Sequence, residues 1–203
     1  MDAITVPALA AFVATLSLAI LTPGPAIIAC TRAAAAMGRQ AALRYALGLA
    51  FGASLWCLAS LFGLSLLFRL VPQLFVVLKV AGGLYLIYVA VKMWRHAHDP
   101  LPASAVIGGP GFRAGMALNL SNPKPALFYG AILLSLFPRL HGVAGPALVY
   151  AVALACELTF YVAVNALMST APVRRRYFAL KSTIDRTAGA LIGALGLLLI
   201  VRH

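Results

Sequence analysis

The sequence predicts an all-α integral membrane protein of six transmembrane helices, arranged as two inverted three-helix repeats in which helices 1 and 4 are broken. Three observations predict this fold. Hydrophobic residues make up 63% of the 203 residues, which at about 20 residues per crossing is enough for about six spans. Charged residues are concentrated between long apolar runs. Two Pro-x-Pro elements, 100 residues apart, interrupt the first apolar run of each half.

The apolar runs define the six spans in chain order. Residues 3–31, 45–68 and 187–201 carry no charge; the other runs are 71–91 with Lys79, 112–138 with Arg113 and Lys124, and 140–173 with Glu157. Runs of this composition predict helices that cross hydrocarbon. The longest connection, 96–111, divides a single predicted membrane domain, 1–203, into halves of about 1–100 and 101–203. No positive segment precedes the first run, which is too long for a signal peptide, so we expect the first helix to be retained.

The charge pattern predicts the orientation of the spans. Sixteen Lys and Arg residues against 4 Asp and Glu give a net charge of +12. In a soluble chain this excess would indicate a nucleic-acid partner, but here the charges lie at the ends of apolar runs, so no nucleic-acid partner is expected. Eleven of the 16 fall in the first, third and fifth connections. Since such residues stay on the cytoplasmic side, both termini are expected outside the cytoplasm, and the halves have opposite topology.

The two Pro-x-Pro elements predict helix breaks inside the membrane. They are the segments Thr22-Pro23-Gly24-Pro25 and Asn122-Pro123-Lys124-Pro125. Proline interrupts a helix, and Thr or Asn before proline is a typical N-cap, so each break is expected to begin a new half-helix. Such an N-terminus attracts an anion, as in transporters built from inverted repeats. The alternative is a pair of proline kinks that only shape packing.

Two ionisable residues are expected near the middle of the membrane. Lys124 lies 12 residues after Phe112, about 18 Å along a helix and near the centre of a core about 30 Å thick. Glu157 is close to the centre of its run. Charged groups at this depth are costly and indicate function. We expect Lys124 to face a substrate carboxylate and Glu157 to take an ammonium group or a proton; the alternative is an ion pair between them that is structural.

Other conspicuous residues favour packing. Small residues at a spacing of four predict close helix contacts, within the chain or between copies of it: Gly48, Gly52, Gly189 and Gly193. Cys30, Cys57 and Cys156 lie in apolar runs without a metal-ligand spacing, and the histidines form no metal motif. We therefore expect no cofactor and no metal site, and Lys79 is given no chemical role.

The proline segments also carry a family resemblance. The run from Leu21 to Pro25, followed by Gly38, Gly48 and Gly52, resembles the amino-terminal signature of the lysine exporter/homoserine-threonine exporter (LysE/RhtB) family. The run from Phe112 to Lys124, with Asn119 and Asn122, resembles that family's F-x-x-G and N-x-x-N-P-K segment. The third and sixth spans resemble the family as well, at Lys79, Gly82, Gly83, Tyr85 and Leu86, and at 185–189. Two positions depart from the family pattern. Members commonly carry Asp or Asn at the position of Ala26, and often carry a small residue other than proline at the position of Pro125.

The resemblance implies a bacterial inner-membrane exporter of amino acids or related small metabolites, driven by protons or by exchange. In that membrane, the termini that the charge pattern predicts outside the cytoplasm are periplasmic. It implies substrate contacts at these residues: Thr22, Pro23, Gly24, Pro25, Asn119, Asn122, Pro123 and Lys124. Glu157 is expected to couple proton movement. The partners are then a small-molecule substrate, protons and the lipid bilayer, and a homodimer is plausible because each half buries little surface alone.

Two other functions remain open at this point. A membrane redox protein would use Cys30 and Cys156, which are not beside the breaks. An ion or metal exporter would need several intramembrane carboxylates, whereas the spans offer Glu157. A membrane hydrolase lacks a nucleophile, base and orienting group, so no enzyme activity is expected.

Overall fold

A computed structural model describes residues 4–22, 24–70, 74–98, 111–138, 140 and 142–201. Within these residues all regular structure is α-helical. The helices are α1 (Val6–Leu21), α2 (Pro25–Leu70), α3 (Leu74–Arg95), α4 (Phe112–Leu120), α5 (Pro123–Leu136), α6 (Ala144–Met168), α7 (Ala171–Ala179) and α8 (Lys181–Val201). The prediction of an all-α protein is confirmed.

Both predicted breaks are present. The first predicted span consists of α1 and the beginning of α2, and the fourth consists of α4 and α5. Helix α2 continues from the first break into the second span and turns once at Gly38, where φ is 77° and ψ is 167°. A positive φ of this size favours glycine because it lacks a Cβ atom. Helix α7 is a short segment between the fifth and sixth spans that the hydropathy pattern did not indicate.

By length and composition, 25–63 and Ala144–Met168 are long and apolar enough to cross a membrane, and Val6–Leu21 and Lys124–Leu136 are shorter apolar helices. The number of spans and their inverted arrangement stay predictions.

Glycines bring α2 and α4 into close contact. A Cβ atom on Gly48 would overlap the carbonyl of Phe112, and one on Gly52 would lie 2.6 Å from the carbonyl oxygen of Met116. Gly115 of α4 in turn faces the Tyr45 backbone at a distance that leaves no room for a side chain. This close approach fixes the level of α4, and hence of the second break, against α2.

A second close contact joins α3 to α8. Gly196 of α8 lies against the carbonyl of Gly83, and Gly189 lies against the Trp94 ring. Gly193 likewise contacts Ala90. The predicted positions Gly48, Gly52, Gly189 and Gly193 therefore make helix contacts within the chain. The side chain of Lys79 lies outside the described residues.

The core lies where α1, α2, α5 and α6 meet. Its largest fully buried side chains include Phe12, Leu16, Tyr45, Leu49 and Tyr129. Helices α3 and α8 instead expose large apolar side chains, among them Leu84, Tyr88, Leu191 and Leu197. Such an apolar outer surface is typical of helices that face lipid.

Candidate functional site

The two breaks meet at one cavity in the core. Thr22 and Gly24 line it from the first break, and Asn122 and Lys124 line it from the second. The approach is close, since a Cβ atom on Gly24 would lie 3.5 Å from the Lys124 amine nitrogen. Two segments that are 100 residues apart in the chain therefore form a single site.

The Lys124 amine is bound to the broken end of α1. Its Nζ donates hydrogen bonds to the carbonyl oxygens of Ala19, at 2.8 Å, and Thr22, at 3.2 Å. The last carbonyls of a helix have no partner within the helix and carry a partial negative charge, so a lysine is favourable there. The side chain thus links the second break to the end of the first half-helix.

Asn122 caps α5 as the sequence predicts. Its side-chain oxygen accepts a hydrogen bond from the backbone N–H of Lys124 at 3.0 Å, and Pro123 occupies the first helical position. The amide of Asn122 also donates to Oδ1 of Asn119 at 3.3 Å. Asn119 is itself buried and donates to the Leu49 carbonyl at 2.7 Å. The second break is therefore held by two asparagines that tie it to α2.

The expectation that Thr22 caps the following half-helix is wrong. Its hydroxyl donates backward to the Leu18 carbonyl at 2.8 Å, and its backbone N–H bonds to the same oxygen at 3.1 Å. Thr22 therefore ends α1. The next helix begins later, at Pro25, where the Gly24 carbonyl accepts from Ile28 at 3.0 Å. The physical reason is the glycine, which places an additional non-helical residue between the threonine and the helix.

The remaining proline positions differ in what the structure describes. Pro25 begins α2 and Pro123 begins α5. Pro125 lines the cavity. Pro23 lies outside the described residues.

Glu157 is buried in α6 on the wall of the same cavity. Its Oε1 accepts a hydrogen bond from the Tyr129 hydroxyl at 2.8 Å, whereas Oε2 is buried without a hydrogen-bond partner. The side chain is 2% exposed. The structural alternative of a Lys124–Glu157 ion pair is wrong, because these two described side chains form no ion pair within 4.0 Å. The amine is held by backbone carbonyls instead.

Tyr129 and Tyr161 were not singled out by the sequence. Tyr129 binds Glu157, and the Tyr161 hydroxyl accepts from the Asn119 amide at 3.2 Å. Both line the cavity. The one available signal was spacing, since Tyr161 follows Glu157 by four residues and therefore shares its helix face.

Most of the cavity wall is apolar. It includes Leu16, Ala19, Ile20, Ala26, Ile27, Ala53 and Phe128. The cavity volume is about 40 Å³, enough for one or a few water molecules and well below the roughly 300–1,000 Å³ of a pocket that encloses a small ligand. Ala26, the first departure from the family pattern, therefore contributes an apolar surface to this cavity.

Helix α7 reaches the same broken end of α1. The Tyr177 hydroxyl donates to the Leu21 carbonyl at 2.8 Å. Burial, together with the nearby Asp185 carboxylate, raises the pKa of Tyr177 above its usual value, so the hydroxyl stays a proton donor. Asp185 forms an ion pair with Lys181 at 2.9 Å. The hydrogen bond from Tyr177 anchors α7 beside the first break, whereas the Lys181–Asp185 pair lies within α8.

The cysteines do not join the site as a pair. Cys30, Cys57 and Cys156 are free thiols, and the first two are buried. Among the described residues there is no cluster of three or more His, Cys, Asp or Glu side chains that could hold a metal ion.

Comparisons with known proteins agree with the resemblance. The family model described as "LysE type translocator" matches residues 17–203. A "Threonine efflux protein" of Salmonella typhi is 30% identical over 190 residues, covering 90% of this chain and 92% of the relative. A "Threonine efflux protein" of Escherichia coli (strain K12) is 28% identical with the same coverage. An "Uncharacterized membrane protein YahN" of that strain is 29% identical over 212 residues, covering 98% and 93%.

No solved structure matches the chain. The family match extends over most of the sequence, including both proline segments and Glu157. The chain therefore belongs to the LysE type translocator family, and it is an integral membrane transport protein.

Proposed function

We propose that this protein exports amino acids, or closely related small metabolites, across the bacterial inner membrane by alternating access. The observation that carries the proposal is the meeting of the two helix breaks at one cavity that contains Lys124 and Glu157. The threonine efflux proteins to which the chain is similar support the substrate class.

The substrate carboxylate binds at the beginnings of the two half-helices. The N-terminal ends of α2 and α5, which carry a partial positive charge, and the Lys124 amine together provide positive charge at the cavity. Inverted-repeat transporters use half-helix N-termini for anionic substrate groups in this way. Asn119 and Asn122 support this site by fixing the beginning of α5.

Glu157 couples transport to proton movement. Its Oε2 has no hydrogen-bond partner although the side chain is buried, and an isolated buried charge is costly. A proton or a cationic substrate group satisfies this oxygen. Because the proton and the cationic substrate group bind to the same carboxyl group in turn, substrate movement is coupled to proton movement.

The helix contacts support an inverted repeat. Helix α4, the first part of span four, packs on α2, and α1, the first part of span one, packs on α6. If each span of the first half is replaced by the corresponding span of the second half, and the reverse, the contact of α4 with α2 becomes the contact of α1 with α6. The contacts of α2 with α6 and of α3 with α8 are unchanged by that exchange. Opposite orientation of the halves, with both termini in the periplasm, gives each break access to one side of the membrane.

The test is a proteoliposome screen of efflux and counterflow with labelled amino acids and small carboxylates, with and without a pH gradient. The wild-type protein is compared with Lys124→Ala and with Lys92→Ala. Lys92 is a matched control because it is exposed and its amine lies 5.9 Å from the Tyr88 ring, away from the cavity.

We expect saturable movement of one substrate class, lost in Lys124→Ala and retained in Lys92→Ala. Equal transport by both variants would contradict the role of Lys124. If folded wild-type protein moved no amino acid or small carboxylate, the proposed substrate class would be wrong.

A further inference from the structure

We propose that the carbonyl oxygens at the end of α1 form the subsite for the substrate's ammonium group, and that Lys124 occupies this subsite in alternation with the substrate. The inference rests on the proposed function and narrows its substrate class to molecules with a free primary ammonium group, such as zwitterionic α-amino acids. Lys124 is then both an anion-binding residue and a built-in competitor of the substrate.

The contacts of Lys124 define the subsite. Its ammonium nitrogen donates to the carbonyls of Ala19 and Thr22, at 2.8 and 3.2 Å. Two neighbouring carbonyls already have partners, since Leu18 accepts from Thr22 and Leu21 accepts from Tyr177. Lys124 therefore binds two carbonyl oxygens, those of Ala19 and Thr22, that are distinct from the ones bound by Thr22 and Tyr177.

The chemistry of the subsite is that of a primary ammonium site. A lysine ammonium and the α-ammonium of an amino acid are alike in carrying three N–H donors and a positive charge. Helix carbonyls with partial negative charge complement both features. Glu157 lines the same cavity and provides a buried carboxylate oxygen without a partner, so a second acceptor for the ammonium group is present.

Simultaneous binding of both ammonium groups is prevented by space and charge. The cavity measures about 40 Å³, which is no more than a few water molecules. Two cations at the same carbonyls would also repel each other. Entry of the substrate ammonium therefore requires Lys124 to leave the carbonyls, which frees its amine to bind the substrate carboxylate. Return of Lys124 to the carbonyls displaces the substrate.

Gly24 lies directly beside the lysine side chain. A Cβ atom at this position would lie 3.5 Å from the Lys124 nitrogen and 3.8 Å from its Cδ. The backbone of the first break is therefore in direct reach of the lysine side chain, with no intervening group.

The first experiment measures competition in wild-type proteoliposomes. The transported amino acid is compared with its N,N,N-trimethyl derivative and with the corresponding 2-hydroxy acid as unlabelled competitors. Both analogues keep the carboxylate and lack N–H donors on a cationic nitrogen. We expect both to compete at least about tenfold more weakly, because a site built for hydrogen-bond donors rejects analogues without them. Equal competition by the trimethyl derivative would overturn the subsite.

The second experiment tests the subsite without transport. Thermal unfolding of detergent-purified Lys124→Ala and Lys124→Gln is measured with methylammonium or tetramethylammonium chloride at equal ionic strength. Methylammonium should raise the unfolding temperature of these variants because it refills the carbonyl site, whereas tetramethylammonium cannot donate. Lys92→Ala and the wild-type protein should show no difference between the two salts.

The outcomes separate the two proposals. A wild-type protein that moves no amino acid defeats the proposed function, while the methylammonium measurement still decides whether the carbonyls form an ammonium site. A protein that transports amino acids but shows no methylammonium effect in either Lys124 variant defeats the subsite alone. If the Lys124 variants do not fold, the competition between analogues decides.

Discussion

At the residue scale, the chemistry concentrates on a few buried polar atoms. Glu157 has one oxygen bound to Tyr129 and the other without a partner. Leaving a buried acceptor unsatisfied costs about 1–3 kcal/mol, and more for a charged group. The unpartnered oxygen of Glu157 in an apolar cavity wall therefore lowers the free energy of unfolding. Under the proposed coupling, this stability is recovered when a proton or a cation binds to Glu157.

Replacing Glu157 with Gln should separate exchange from coupled transport. The amide keeps the size and one hydrogen-bond acceptor for Tyr129, so the protein should fold, but it cannot release a proton. We expect counterflow to remain within a few-fold of the wild-type rate while accumulation driven by a pH gradient is lost. The measurement is counterflow and uphill uptake in the same proteoliposomes.

Tyr129→Phe is the matched control for this change. It removes the hydroxyl that donates to Glu157 and leaves the carboxyl group in place, so pH-driven accumulation should persist at a reduced rate. Undiminished uphill transport by the Glu157→Gln variant would show that Glu157 is structural.

The site residues divide into those that the sequence reveals and those that it does not. Lys124 and Glu157 could be predicted because a charge within an apolar run is conspicuous. Tyr129 and Tyr161 could not, since tyrosines are common in membrane helices as core or interface residues. The role of the Ala19 and Thr22 carbonyls could not be predicted from the sequence, because every residue has a carbonyl group. Only the local fold leaves these two carbonyls able to accept a hydrogen bond from Lys124.

At the element scale, the two Pro-x-Pro segments have similar sequences but form different structures. The Asn122 side chain caps the helix that follows it, whereas the Thr22 side chain binds the helix that precedes it. Proline spacing was enough to predict both breaks. It was not enough to place their caps, because the glycine of the first segment moves the next helix start to Pro25.

This asymmetry predicts unequal effects of removing the two polar side chains. Asn122→Leu should lower the free energy of unfolding by at least about 1 kcal/mol, since it removes an N-cap and a contact to Asn119. Thr22→Val should cost less, because the Leu18 carbonyl keeps its bond to the Thr22 N–H. Thermal unfolding in detergent compares the two. A larger loss in Thr22→Val would contradict the assignment of the caps.

The contact between α2 and α4 should be intolerant of any side chain at Gly48. A methyl group there overlaps the Phe112 carbonyl, so Gly48→Ala should separate the helices and lower the yield of folded, monodisperse protein severalfold. Gly130→Ala is the control, because a Cβ atom at Gly130 meets nothing within 4 Å. It should be neutral or slightly stabilising, as alanine favours helix. Size-exclusion profiles of both variants test this, and equal profiles would rule out the tight packing.

At the scale of the whole molecule, the charge pattern sets the expected orientation. Hydropathy and charge indicate how many spans there are and which way they run. They carry no information on which helices pack together, since contacts such as those of α3 with α8 join distant parts of the chain. The short helix α7 also escaped prediction because its anchor is a tertiary hydrogen bond from Tyr177.

The orientation can be tested with single cysteines in a variant whose three native cysteines are replaced. Gln40→Cys and Ala179→Cys lie in predicted cytoplasmic connections, and Val143→Cys lies on the predicted periplasmic side; all three positions are exposed. A membrane-impermeant maleimide applied to right-side-out vesicles should label Val143→Cys alone. Permeabilised vesicles should label all three. Labelling of Gln40→Cys in sealed vesicles would reverse the proposed topology.

The small size of the cavity between the breaks matters for the ion gradients across the membrane. A continuous polar route through a membrane dissipates the ion gradients that drive other processes. The cavity has a volume of about 40 Å³, and the Lys124 amine is held beside it by hydrogen bonds to two carbonyl oxygens. Under the proposed function, a positive charge on Lys124 at this position repels other cations. In the proposed exporter, Lys124 therefore limits the leakage of ions while no substrate is bound.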